Sequence, residues 1–236
     1  MRDGFAAYGI RRLAVLGNHL PRQGGIATFT TDLSDSIAAQ FSKLDCVVVA
    51  MNDDGQRYLY PPRVGFEIDE SDIGSYKRAA EFLNANKIDV VSVQHEYGIF
   101  GGKAGNYLLT LLRKLRMPIV TTVHTILGKP DSMQRRAMNE IARLSERLVV
   151  MSAHGAALLR TVHGVPEDKI DIIPHGIPCV PDIGRSKKPL GIEGKSVILT
   201  FGLLSPDKGI EHVIDALPEI LARYPDTVYV VLGATH

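Results

Sequence analysis

The sequence predicts an α/β protein, a parallel sheet with helices on both faces, followed by the start of a second unit of the same kind. Three observations predict it. Apolar strand-like runs alternate with helical patterns along most of the 236 residues, the order that yields parallel sheets. Two of the strands, one near each end of the chain, run into glycine turns that open helices. Between them the stretch Asp182 to Lys195, with Gly184, Lys187, Lys188, Pro189, Gly191 and Gly194, has linker composition.

Arg11-Arg12-Leu13-Ala14-Val15-Leu16-Gly17 reads as a buried strand. The polar loop Asn18 to Gly24 follows, and Gly25 opens a helix whose apolar positions Ile26, Phe29, Leu33, Ile37 and Phe41 recur at helical spacing. Further strands fall near 44–51, 89–95, 118–123, 147–151 and 169–174, with helices over 75–86, 103–116, 131–146 and 152–163. Beyond the linker, Val197-Ile198-Leu199-Thr200 predicts a strand, 208–223 a helix and 227–232 a last strand. Both halves therefore begin in a Rossmann-like way, and the boundary is expected near Pro181. Residues 181–236 hold too little apolar surface for a core of their own, so the second unit is expected to be truncated.

Composition removes several function classes. Lys and Arg total 27 against 26 Asp and Glu, and no basic stripe with interleaved aromatics suggests nucleic acid. Cys46 and Cys179 lie far apart with no Cys-x-x-Cys pair, which reads as reduced thiols in a cytoplasmic protein. No apolar run approaches the roughly 20 residues that span a bilayer. A basic face of Arg113, Lys114, Arg116, Arg135 and Arg136 is the one candidate for peripheral membrane contact, weighed against an ordinary solvated face.

Ligands of open parallel sheets bind beyond the C-terminal strand ends, and here those ends carry His95, His124, His154 and His175. Each alone is readily a half-buried histidine serving a loop; their shared rim points to a site. Sharper motifs fail. Gly98-Ile99-Phe100-Gly101-Gly102-Lys103 has the wrong glycine spacing for a phosphate loop, and Ala104 stands where Ser or Thr would hold magnesium. Asn52-Asp53-Asp54-Gly55 fits a turn better than a calcium loop, so no metal site is expected. Neither a nucleophile elbow nor an activated cysteine is present for covalent hydrolysis.

Four ordered blocks carry a resemblance: Pro21-Arg22-Gln23-Gly24-Gly25-Ile26-Ala27-Thr28-Phe29, Gln94 to Gly102, Ile173-Pro174-His175-Gly176-Ile177, and Phe201 to Gly209. Together they are similar to glycosyltransferase family 4. The resemblance implies a GT-B fold, with an acceptor-binding N-terminal domain over 1–180 and, over 181–236, a linker and the first β-α-β of the donor domain. It implies a retaining, hexosyltransferase-like enzyme that uses a nucleotide-diphosphate sugar as co-substrate and no other cofactor, with a carbohydrate or glycoconjugate as acceptor. By the same resemblance His124 is the histidine beside the reacting sugar. Gly24, Gly25 and Lys208 contact the donor diphosphate, and Leu203 stands where the family usually has an arginine.

Arg22, His95, Glu96 and Tyr97 follow strand ends and are candidates for acceptor contacts; Glu96 pairing with Arg22 or Lys103 as plain structure is the alternative. A sugar phosphorylase, a nucleotide-sugar epimerase and a carbohydrate-binding domain without catalysis remain open. The truncated chain is expected to be inactive alone and prone to self-association through its uncovered strand edge.

Overall fold

The fold is given by a computed structural model that describes residues 9–177, 187–202 and 204–233. The chain divides into two compact units, Met1–Pro178 and Cys179–His236. The expected boundary residue Pro181, with Cys179, Leu203 and residues 182–186 of the linker, lies outside the described residues.

The first unit runs β1 (Arg12–Gly17), α1 (Gly25–Gln40), β2 (Asp45–Asn52), β3 (Val64–Asp69), α2 (Ile73–Ala85), β4 (Val90–His95), α3 (Tyr107–Leu112), β5 (Ile119–Val123), α4 (Ser132–Leu144), β6 (Arg147–Val150), α5 (Ala153–His163) and β7 (Ile170–Ile172). Its strands form one parallel seven-stranded sheet in the order β3-β2-β1-β4-β5-β6-β7. The order reverses direction between β1 and β4, which creates a crevice above the C-terminal ends of those two strands.

Period-two alternation sends neighbouring residues of β1 to opposite faces. Ala14 and Leu16 join Val49, Met51, Tyr76, Leu83, Val93 and Leu111 on one face, while Leu13 and Val15 join Cys46, Val48 and Ala50, packed by Ile37 and Phe41 of the α1 side. A third cluster, with Met138, Leu148 and Leu159, lies under β5 and β6. Each fully buried large side chain contributes about 1.5–3 kcal/mol of transfer free energy, so the two covered faces hold the sheet together. Helix starts are fixed locally: in α4, Asp131 accepts from the Met133 and Gln134 N–H groups while the Gln134 side chain accepts from the Asp131 N–H.

Two elements differ from the sequence expectation. Val64 to Asp69 forms β3, which no strand was assigned to; it is an edge strand whose apolar positions alternate with exposed ones after Pro61-Pro62. The helix expected over 103–116 is broken. Ala104 and Gly105 have φ of +53° and +69°, so Lys103–Gly105 is a single 3-10 turn and the helix proper is only Tyr107–Leu112.

The Gly101-Gly102 turn is explained by packing. A Cβ on Gly101 would lie 1.7 Å from the Glu70 carbonyl oxygen. The Tyr76 hydroxyl donates to that carbonyl at 3.1 Å and accepts from the Gly101 N–H at 2.9 Å, clasping the two loops together. Burial pushes the Tyr76 hydroxyl up to about 12, so it stays protonated and able to donate.

The second unit holds β8 (Ser196–Phe201), α6 (Ile210–Arg223) and β9 (Thr227–Leu232), with β8 and β9 paired in parallel. None of the α6 residues is buried. Among the described residues of the whole chain no helix is long and apolar enough to cross a membrane.

Candidate functional site

At the reversal of strand order the last residue of β1 is Gly17, and an added Cβ there would stand 2.9 Å from Gln94 Cβ and 3.1 Å from Thr30 Oγ1. The missing side chain makes room for Gln94, which is fully buried in β4. Gln94 Nε2 donates to Ser92 Oγ at 3.2 Å, and Gln94 Oε1 faces His124 Nε2 at 3.1 Å. His124 follows β5, and its backbone N–H donates to the His95 carbonyl at 3.0 Å, extending the sheet register by one residue.

The second turn of α1 delivers Phe29 to the same place. Its ring meets His124 and His175 edge to face, both at 4.9 Å between centroids. His175 is exposed, and its Nδ1 donates to the Gly176 carbonyl at 2.6 Å. Burial first, then the nearby His175, lowers His124 from 6.5 to about 4, so its imidazole is neutral at physiological pH. This arrangement can accept from or donate to a hydroxyl but brings no positive charge. Upstream, α1 starts at Gly25 behind Gly24 with φ +140°, and no side chain caps its first N–H groups. A Cβ on either glycine would meet nothing within 4 Å, so the helix start is open to a ligand.

The acceptor candidates fare differently. Arg22 is buried, and donates to Asn18 Oδ1 at 2.8 Å, to the Met51 carbonyl at 3.1 Å and to the carboxylates of Asp53 and Glu70. It knits the ends of β1, β2 and β3, and the alternative pairing with Glu96 is not what holds it. Glu96 instead caps the Tyr97 N–H at 2.9 Å and accepts the Thr125 hydroxyl; it pairs with neither Arg22 nor Lys103.

His95 is wholly buried, stacked on Phe100 and edge-on to Tyr97, and neither ring nitrogen has a hydrogen-bond partner among the described residues. Its side chain, a candidate for acceptor contact, sits in the core, where burial lowers it to about 3. Tyr97 is half-buried, its hydroxyl equally unpartnered. His154 is exposed in the first turn of α5. Of the basic face, Arg113 is taken up by Glu140 and Arg135 by the Val162 carbonyl.

In the second unit Lys208 ends the 3-10 turn Pro206–Lys208 and precedes α6 rather than opening it, because Gly209 at φ +62° starts the helix at Ile210. Its Nζ lies 3.8 Å from the position of a Cβ on Gly202, at the end of β8. Sequence reasoning missed Gln94, Phe29 and Gly17. Gln94 sits beside the singled-out His95, but nothing in its spacing distinguishes it from a strand residue; Phe29 carries only a core-type helical spacing.

The sheet order and the rim above it define a Rossmann-like unit of the kind found in GT-B proteins. The chain belongs to Glycosyltransferase Family 4, whose family profile matches residues 23–180. An uncharacterized glycosyltransferase of Methanocaldococcus jannaschii is 30% identical over 126 residues, covering 46% of this chain and 32% of that protein. The match thus spans about a third of the relative's length. Among solved structures, Anabaena HepE in complex with UDP and glucose has TM-score 0.66 at 17% identity, over 96% of this chain and 62% of that one. A putative UDP-N-acetylglucosamine 2-epimerase from Listeria monocytogenes has TM-score 0.63 at 10% identity, over 94% and 62%. These likenesses establish the fold.

Proposed function

We propose that this chain carries the acceptor-side domain, residues 1–180, and the beginning of the donor domain, 181–236, of an enzyme that moves a sugar from a nucleotide-diphosphate sugar to an acceptor hydroxyl with retention. The observation that carries the reading is the neutral His124, held beside α1 with its open Gly24-Gly25 start at the reversal of strand order. A diphosphate suits free helix N–H groups, and a sugar hydroxyl suits an uncharged imidazole. UDP with glucose in the HepE structure makes a uridine diphosphate sugar the first donor to test. In this reading Lys208 neutralises the departing diphosphate, and the 236-residue chain binds without turning over.

The test is His124→Ala in a form extended to the length of the relatives. Turnover is expected to fall roughly tenfold or more, with the melting temperature nearly unchanged. Unaltered turnover per folded molecule would remove His124 from the site. The epimerase neighbour favours one other reading, interconversion of a nucleotide sugar. Transfer releases free nucleotide in step with acceptor glycosylation, whereas epimerisation returns an isomeric nucleotide sugar and needs no acceptor.

A further inference from the structure

We propose that Gln94 is a positioning residue of the cleft: its buried carboxamide fixes which nitrogen of His124 carries hydrogen, and so which nitrogen is left to meet a sugar hydroxyl. The proposal rests on the reading of His124 as the residue beside the reacting sugar.

Gln94 is wholly buried and held on two sides. It fills the notch left by Gly17, and its amide nitrogen is engaged by Ser92 Oγ, which leaves the amide oxygen to face His124. An amide oxygen only accepts, so His124 Nε2 must carry the hydrogen. A neutral imidazole has one such hydrogen; Nδ1 therefore keeps its lone pair and has no hydrogen-bond partner among the described residues. The ring plane is set separately, by the Phe29 edge contact at 84°, and the backbone bond from His124 to the His95 carbonyl fixes where the residue sits. Position, plane and tautomer are thus fixed before any ligand arrives, which is the preorganisation a hydrogen-bonding group needs at a reacting centre.

The arrangement also sets the chemistry of what binds there. A lone pair on Nδ1 welcomes an O–H donor and repels an ionised phosphate oxygen, so this spot is a hydroxyl subsite and the diphosphate belongs elsewhere. The titratable groups around His124 are His95 at the end of β4, Glu96 beyond it, and His175 across Phe29; α1 contributes the Phe29 ring. Glu96 is committed to the Thr125 hydroxyl and the Tyr97 N–H, and the atom directly opposite His124 Nε2 is the uncharged Gln94 oxygen. Exchanging that oxygen for a carboxylate converts a neutral acceptor into an anion that favours imidazolium.

The test is ¹⁵N-detected NMR of the histidine rings in the 236-residue chain, with His124 assigned through His124→Asn. The wild type is expected to show the Nε2–H tautomer at pH 7 and to titrate near pH 4. Gln94→Glu should raise the His124 midpoint by about one pH unit or more, a tenfold gain in proton affinity. Gln94→Met, which keeps size but removes the acceptor, should give a mixture of tautomers. An Nδ1–H tautomer in the wild type, or a His124 midpoint and tautomer unmoved by both substitutions, overturns the proposal. If one variant fails to fold, the other decides: an unmoved midpoint after Gln94→Glu, or an unmoved tautomer after Gln94→Met, overturns the proposal. Because no turnover is needed, this result is independent of the transfer assay in the extended form: transfer there with the wrong tautomer sinks the role of Gln94, and the right tautomer without transfer there sinks the functional reading.

Discussion

The two units share strand-helix-strand units with parallel pairing, yet they bury their apolar residues to very different degrees. In the first, Leu111, Leu148 and Tyr76 are wholly inaccessible. In the second, Phe201 is 71% and Leu199 53% exposed. A βαβ unit thus supplies geometry without supplying a core: two strands and one helix align a glycine turn and a lysine, but only a sheet covered on both faces excludes water.

The largest expected break in that comparison is a pair of truncations. Leu111→Ala should cost about 2–5 kcal/mol in urea unfolding, whereas Leu199→Ala should stay within about 0.5 kcal/mol. Equal effects would mean that the second unit is covered in solution and that the contrast in burial does not describe it. The next effect asks whether the poorly buried unit still organises a ligand. Lys208→Ala should weaken nucleoside diphosphate binding by the equivalent of about 1.5–3 kcal/mol, against about 0–1 for an exposed charge. Calorimetry with nucleoside mono- and diphosphates checks it, and equal weakening of both, or of neither, would detach Lys208 from the diphosphate.

His95 is held neutral by burial, from 6.5 down to about 3, so unfolding takes up a proton at acid pH. Its contribution to stability is complete above about pH 6.5 and declines as the pH falls toward 3. His95→Phe, which keeps the contacts with Tyr97 and Phe100, should make the stability profile shallower between those values, with His124 supplying part of the slope that remains. A profile as steep as the wild type would show that His95 is not the group being charged.

The fold was largely legible in the chain, because strands buried on both faces are continuous apolar runs, the longer helices carry their own spacing, and α2, α4 and α5 begin at side-chain caps. What escaped depends on tertiary neighbours. β3 alternates as an edge strand does and follows two prolines, so its pattern resembles a polar loop. The break at Ala104 comes from a backbone angle that no propensity announces. At the site, the sequence brought His124 and the Gly24-Gly25 loop forward as candidates through resemblance. It could not tell that Arg22 is spent on Asp53 and Glu70, that the His95 ring points into the core, or that Gln94 stands behind His124. Those facts depend on which loops meet after folding, and the partners are distant in sequence.

The clasp between Gly101 and Glu70 bears on how this scaffold can be re-engineered. With the glycine backbone pressed against the Glu70 carbonyl and Tyr76 bridging the two, the segments around 70–76 and 96–107 have complementary shapes. A chimera that imports one segment from a relative sets an unmatched loop against that carbonyl, while one that imports both carries its own fit. Loop exchange intended to alter the rim of the cleft should therefore treat the two segments as a single cassette.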